Sequence, residues 1–300
     1  MSTDFSKTYK DQLSICIDQA IVEDIGHGDQ TSLAIFDAAH QSSAQLIAKG
    51  DGVFAGLGFV RLLFERHAPD VQVIEQHNEG SPFKAGKVLL HLKGATQSIL
   101  SLERIALNAF QRMCGIAKIT HSLDQKIAHT SCQLLDTRKT TPNFRIAEKW
   151  AVAIGGGTNH RMGLYDAIMV KDNHIDFVGD IPTTLAKVRS YLDGFEHPIP
   201  VIVETRNLDQ IDHCMDFPWV ERILLDNMTP KEVQHAVSHI GGAFSTEASG
   251  NITPQNIVSY AETGVDFLSL GFLTHSSIHL SNYPYHQRVW VHLNNQNRSK

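Results

Sequence analysis

The stretch Leu134–Asn173 reads LLDTRKTTPNFRIAEKWAVAIGGGTNHRMGLYDAIMVKDN, and its pattern decides the fold. Two short apolar runs, Leu134-Leu135 and Ala167 to Val170, each end in charge. Asp136, Arg138 and Lys139 close the first, and Lys171 and Asp172 close the second. Between them lie a helix-like segment, the triple glycine Gly155-Gly156-Gly157 and the polar cluster Asn159-His160-Arg161. A strand that runs out of apolar residues into charge is how an α/β protein places chemistry at strand ends. Six Arg or Lys face four Asp or Glu between Asp136 and His174, in a chain whose net charge is −6. That local cationic excess points to an anionic small molecule as ligand.

Downstream of this stretch the rhythm of strand, loop and helix repeats. Apolar runs fall at Gln133–Leu135, Ala167–Val170, Val201–Val203, Arg222–Leu225, Ala243–Ser245 and Phe267–Leu270. Helical segments at Pro182–Leu192, Leu208–Met215, Pro230–Ile240 and Pro254–Glu262 separate them. Such βα units predict a parallel sheet, closed into a barrel or left open. The strand ends then carry Arg138, Lys139, Lys171, Glu204, Asp226, Ser249 with Gly250, and Gly271 with His275. Barrel enzymes carry their sites at those ends.

Upstream, the spacing of Leu13, Ile17, Ala20 and Ile21 predicts a helix over 8–24, which the glycines after Ile25 stop. Strand-like runs follow at Ala44–Ala48, Val71–Ile74 and Val88–Leu92, with an apolar helix at Phe59–Phe64. This mixture predicts an α+β first domain. Gln97 to Ile127 reads as helix again, with Arg104, Asn108 and Arg112 sharing a face at i, i+4 and i+8. The simplest reading of that face is a solvated polar stripe. Gly115 marks a candidate break, so the expected domains are 1–115 and 116–276, with 277–300 a candidate addition to the first. Val289-Trp290-Val291 is a candidate strand, and the polar end NNQNRSK is expected to be loose.

Composition narrows the class. Hydrophobic content of 42% and charge of 19% describe an ordinary globular protein. The negative balance argues against nucleic acid, which wants a basic face. Neither a signal peptide nor an apolar run of about 18 residues is visible, so no membrane partner is expected. Cys16, Cys114, Cys132 and Cys214 show no metal or disulfide spacing. A cytoplasmic protein is the expectation.

The residues also suggest a chemistry. A molecule with two carboxylates needs cations in bidentate geometry, and Arg138, His160, Arg161 and Lys171 can form that clamp. Taken singly, each is as well read as a surface ion pair. Glu204 and Asp226 can hold sugar hydroxyls or a Mg²⁺ that keeps several waters, or else cap the helices that follow, which fits Asp226 better. Ser249-Gly250-Asn251 and Gly271 let backbone amides approach a phosphate, unless they only serve a loop needing positive φ. The triple glycine matches no phosphate loop, and His235 with His239 lacks a third metal ligand.

The runs ERIALN (103–108), LDTRKTTP (135–142), GGGTNHRMGL (155–164), KDNH (171–174), LLDN (224–227), EASGN (247–251) and YAETGVDFLSLGFLTHS (260–276) closely resemble the quinolinate phosphoribosyltransferases. EDIGHGDQTS at 23–32 resembles the same family's amino-terminal signature. The resemblance implies an α/β protein: an N-terminal α/β sandwich plus an incomplete parallel α/β barrel of about seven strands, assembled as a homodimer or larger. It implies a Mg²⁺-dependent reaction of quinolinate with phosphoribosyl pyrophosphate, giving nicotinate mononucleotide, pyrophosphate and CO₂. Carried over residue by residue, Arg138, His160, Arg161 and Lys171 hold quinolinate. Arg104 completes the neighbouring subunit's site, replacing the solvated-stripe reading. Lys139, Glu204, Asp226, Ser249, Gly250, Gly271 and His275 serve the phosphoribosyl and Mg²⁺ side. Lys139, Glu204 and Asp226 are the expected catalytic residues, and Glu204 and Asp226 the metal ligands. Two positions depart from the pattern: Ile202, where an acid is common, and Arg206, at an often acidic position. Two rivals stay open. One is a related transferase for another planar acid, as in molybdenum-associated homologues, and the other is a non-catalytic binding protein on the same scaffold.

Overall fold

A computed structural model describes residues 5–276 and 290–294. The described residues form two compact units. The first contains those up to His121, Thr140–Gly156 and those from Leu273 on; the second contains Ser122–Lys139 and Gly157–Phe272. Helices are α1 (Phe5–Thr8), α2 (Lys10–Asp24), α3 (Gln30–Ile35), α4 (Leu57–His67), α5 (Thr96–Ile127), α6 (Arg145–Ile154), α7 (Asp172–Val178), α8 (Ile181–Leu192), α9 (Leu208–Met215), α10 (Pro230–Ile240), α11 (Ile257–Ala261) and α12 (Phe272–His275). Strands are β1 (Gln41–Ile47), β2 (Gly52–Val53), β3 (Gln72–Glu75), β4 (Pro82–Phe83), β5 (Val88–Ala95), β6 (Gln133–Leu135), β7 (Ile168–Val170), β8 (Val201–Thr205), β9 (Arg222–Asp226), β10 (Ser245–Ser249), β11 (Phe267–Ser269) and β12 (Trp290–Asn294).

In the first unit an antiparallel sheet runs β12-β1-β5-β3, beside the small pair β2-β4. The candidate strand near Trp290 is β12, paired with β1 from Ile47↔Trp290 to Ser43↔Asn294. The tail expected to be loose lies outside the described residues from 295 on. Phe54, Phe59, Phe64 and Phe110 are fully buried in this unit's core. Burying one such side chain contributes roughly 1.5–3 kcal/mol. Helix α5 runs unbroken through Gly115, contrary to the expected break; Gly115 is buried within it. The triple glycine serves packing. A Cβ on Gly155 would lie 2.6 Å from the Ala117 carbonyl oxygen, so only glycine lets the end of α6 meet α5 this closely.

The second unit is a six-stranded sheet in the order β6-β11-β10-β9-β8-β7, every pair parallel. Thr158 adds a parallel bridge beside Leu135 of β6. Five expected strands appear in place. The run Ala243–Ser245 was an incomplete guide, because β10 begins at Ser245 and continues as STEAS. Register fixes which residues share a face: Glu204↔Leu224, Leu224↔Glu247, Asp226↔Ser249 and Glu247↔Phe267. With a side-chain period of two, Glu204, Arg222, Asp226, Glu247 and Ser249 therefore lie on one face. Val203, Thr205, Ile223, Leu225, Ala248 and Leu268 lie on the other, all buried. The charged residues thus gather on one side of the sheet, and the other side is aliphatic apart from Thr205 and Thr246. Among the described residues no helix is long and apolar enough to cross a membrane.

Candidate active site

The parallel sheet presents its chemistry at the carboxyl ends of its strands. Strand β6 ends at Leu135, and Asp136, the next residue, is fully buried. Its Oδ1 accepts the His160 backbone N–H at 2.9 Å and its Oδ2 accepts Asn159 Nδ2 at 2.5 Å. The Asn159-His160-Arg161 cluster is thereby held against the strand that leads to Arg138. Arg161 donates from Nη1 to the Ala167 carbonyl at 2.9 Å, on the approach to β7. Burial first, then the positive charge of Arg138, pulls the Arg161 guanidinium below its ordinary pKa, while Asp166 pulls the other way. Two half-buried guanidiniums that feel each other's charge are costly unless an anion joins them.

His160 has a different task from an exposed cation. It is buried, and its Nδ1 accepts the Arg161 backbone N–H at 2.7 Å. An accepting Nδ1 carries no proton, so in this geometry the ring's proton sits on Nε2.

Lys171 is the N-cap of α7; the His174 ring nitrogen Nδ1 accepts its backbone N–H at 2.9 Å. Its Nζ lies 3.4 Å from Glu204 Oε2. Glu204 is buried near the end of β8 and Asp226 is half-buried at the end of β9. Neither caps a helix. Asn207 caps α9, and Thr229 with Glu232 forms a capping box on α10. The capping alternative for these carboxylates is overturned, which leaves them available for a ligand. Asp226 Oδ1 accepts Ser249 Oγ at 2.9 Å from the adjacent strand end.

Gly250 follows at φ +82°, flanked by Asn251 at φ 56° and faced by Asn227 at φ 56°. A Cβ on Gly250 would lie 2.1 Å from Asn227 Oδ1, so no side chain fits here. Gly250 and Asn251 are successive left-handed residues, a conformation that glycine and asparagine adopt most readily. Gly271 lies two residues beyond β11, in the turn before α12. Arg138 is half-buried and Lys139 exposed just past β6. Arg206 pairs with Asp172 and lies 3.7 Å from Asp176, so its charge is spent on the start of α7.

Arg104 and His275 belong to the first unit, both exposed. Of the polar stripe on α5, Arg104 and Asn108 are exposed, while Arg112 is largely buried and donates to Glu148 at 2.8 Å and to the Thr274 carbonyl. A cavity of about 450 Å³ in this unit is lined by Cys16, Glu23, Asn108, Arg112, Thr141 and Phe144, and by none of the expected site residues. Among the described residues no cluster of three or more His, Cys, Asp or Glu could hold a metal on its own. His239 instead pairs with Asp212 at 2.6 Å.

Sequence reasoning missed Asp136 as an anchor, Glu247 and Arg222. Asp136 and Arg222 flank apolar runs, which was their signal; Glu247 lies in STEAS, which has no such run.

Comparison with known proteins identifies the family. Residues 116–281 match the model of the quinolinate phosphoribosyl transferase C-terminal domain, and residues 29–114 that of the N-terminal domain. A probable nicotinate-nucleotide pyrophosphorylase [carboxylating] of Bacillus subtilis is 38% identical over 265 residues, covering 88% of this chain and 90% of that protein. The chloroplastic nicotinate-nucleotide pyrophosphorylase [carboxylating] of Oryza sativa is 38% identical, covering 88% of this chain and 75% of its own. The solved nicotinate-nucleotide pyrophosphorylase of Francisella tularensis superposes with a TM-score of 0.84 at 31% identity, covering 98% of this chain and 99% of that one. On these matches, the chain belongs to the quinolinate phosphoribosyltransferase family.

Proposed function

We propose that this chain transfers the phosphoribosyl group of phosphoribosyl pyrophosphate to quinolinate, with loss of CO₂, at the carboxyl ends of the second unit's strands. The product is nicotinate mononucleotide, on the de novo route to NAD. What supports the reading is that Arg138 and Arg161 are both half-buried, with the charge of Arg138 near enough to lower the Arg161 pKa. Two repelling guanidiniums suit a planar ligand with two carboxylates. Lys171 completes the clamp by leaving Glu204 when the diacid binds.

The chemistry asks little covalent work of the protein. The C1′–oxygen bond breaks with its electron pair leaving on pyrophosphate, and the ring nitrogen's lone pair forms the new bond to C1′. Glu204 and Asp226 stabilise the positive ribose in between, and Lys139 steadies the departing pyrophosphate. The carboxylate beside the positive nitrogen then leaves as CO₂, its bonding pair stays on the ring carbon where the adjacent charge stabilises it, and a proton from solvent takes up that pair. Orientation and electrostatics supply the rate. Free thiols have no part: burial pushes Cys16 up to about 11 and Cys132 and Cys214 up to about 12.

The donor set fits Mg²⁺. Glu204 and Asp226 share one face of adjacent strands, and Mg²⁺ takes one or two carboxylates with water and phosphate oxygens rather than an all-protein cage. When bound, the ion supplies positive charge to the pyrophosphate oxygens. The amides around Gly250, with Ser249 and Gly271, receive the phosphates. Four free thiols suit a reducing, cytoplasmic setting.

Arg104, exposed on α5, completes the site of a second copy in a homodimer or larger assembly. Mixing the inactive variants Arg104→Ala and Lys171→Ala should then restore about one quarter of wild-type activity, because half the dimers are mixed and each has one intact site. No restoration contradicts the shared site. The reaction itself is tested by pyrophosphate and CO₂ release with Mg²⁺, phosphoribosyl pyrophosphate and either quinolinate or nicotinate. The expected result is turnover of quinolinate alone, abolished by chelation. Equal turnover of nicotinate without CO₂ would refute it.

A further inference from the structure

Inside the second unit a column of charged side chains leads from the base of the sheet to the proposed clamp. Arg222, the first residue of β9, stacks its guanidinium over Phe267 at 4.1 Å and donates from Nη1 to Glu247 Oε2 at 3.0 Å. Glu247, mid-strand in β10, has a side chain only 1% exposed. The same Oε2 lies 3.3 Å from His160 Nε2, within reach though off the ideal line. On its other side the ring accepts the Arg161 N–H. The column thus runs Arg222, Glu247, His160, Arg161.

A buried carboxylate against a basic pair is costly to build and has no obvious place in the middle of a strand. Its geometry gives it one. The carboxylate can only accept, so it demands the proton on Nε2, and that leaves Nδ1 bare to receive the next residue's backbone N–H. Without that partner the ring is free to take the other tautomer, which turns an N–H against an N–H and displaces Arg161. Metal-binding histidines are oriented by outer-shell carboxylates on the same logic.

We infer that Glu247 is a positioning residue for quinolinate: it fixes the tautomer and plane of His160, which in turn fixes the backbone of Arg161. The assignment rests on the clamp proposed above. Glu247 touches no substrate atom in this account, and Arg222 serves to neutralise it.

The test separates this role from a merely structural one. Glu247→Leu removes the acceptor; Glu247→Gln keeps one for Nε2–H. In Glu247→Leu the KM for quinolinate should rise about tenfold or more, with the KM for phosphoribosyl pyrophosphate changed by less than about twofold. Glu247→Gln should recover most of that loss. Should Glu247→Leu not fold, adding Arg222→Met removes both buried charges and carries the same kinetic expectation. A long-range ¹H–¹⁵N spectrum of the wild-type protein should show His160 bare at Nδ1 and protonated at Nε2. Protonation at Nδ1, an equal rise in both KM values, no rise at all, or no recovery with Gln would each overturn the inference. Failure of the wild-type chain to consume quinolinate would instead refute the proposed function, leaving the tautomer measurement to judge this one.

Discussion

Among the described residues two guanidinium–carboxylate pairs are buried, and they end in different places. In the first unit Arg112 meets Glu148, whose side chain is fully buried, and Glu148 also accepts the Thr141 N–H at 3.1 Å and the Thr141 hydroxyl at 2.8 Å. Arg112 further donates to the Thr274 carbonyl. This pair ties α5, α6, the segment at Thr141 and α12 together, and each bond stays within the scaffold. In the second unit Arg222 meets Glu247, but the column continues through His160 to Arg161. The same pairing of residue types is a clasp in one place and a positioning device in the other. What distinguishes them is where the last hydrogen bond goes.

The largest expected effect breaks the clasp. Arg112→Ala leaves Glu148 buried without its cation, which should cost about 3–5 kcal/mol of stability, read as a lowered denaturant midpoint. Replacing both Arg112 and Glu148 by apolar residues should not fully restore it, since the carbonyl of the buried Thr274 then loses the Arg112 donor. In the second unit the corresponding double replacement, Arg222→Met with Glu247→Leu, removes both buried charges and should cost less than Arg112→Ala, the remaining loss being the buried His160 Nε2–H left without its acceptor. A matched loss in the two units would erase the distinction.

A smaller effect is expected at Gly250. Its φ of +82° and the 2.1 Å approach to Asn227 Oδ1 both oppose a side chain. Gly250→Ala should cost about 1–2 kcal/mol from the backbone alone, with a raised KM for phosphoribosyl pyrophosphate and an unchanged one for quinolinate. The smallest effect is in acid. Burial pushes the Glu247 carboxyl up, but His160, Ser269 and Arg222 together hold it below its ordinary value of 4.5. A lowered folded-state pKa means its stabilisation is fully present above the ordinary carboxylate range and lost as pH falls through the folded value. Wild-type stability should therefore fall in that window more steeply than that of Arg222→Met with Glu247→Leu; parallel curves would contradict it.

Much of this was legible in the sequence because periodicity and strand-end charge are local signals. The parallel strands, the helix of residues 96–127 and the cations beside Leu135 and Val170 follow from runs that can be counted. The column was not legible. Strand β10 reads STEAS, without the apolar run that marks its neighbours, so the reading stopped at Ser245 and left Glu247 outside the sheet. Arg112 showed only its own helix face; its partner Glu148 lies 36 residues away. Helix α7, DNHIDFV, is too short and polar to carry a period, yet it begins at the capping lysine of the proposed clamp. Gly115 was read by its intrinsic preference, which helix packing overrode. Ion pairs across elements depend on register, and register appears only once the strands are paired.

The most direct test of the account is calorimetric titration of quinolinate into the wild-type protein, Arg138→Ala and Arg161→Ala, with the melting temperature of each measured alongside. Two guanidiniums gathered to grip a diacid predict that either variant loses about 100-fold or more in affinity while melting near the wild type. Wild-type affinity in both variants, or a loss of affinity that simply follows unfolding, would contradict it.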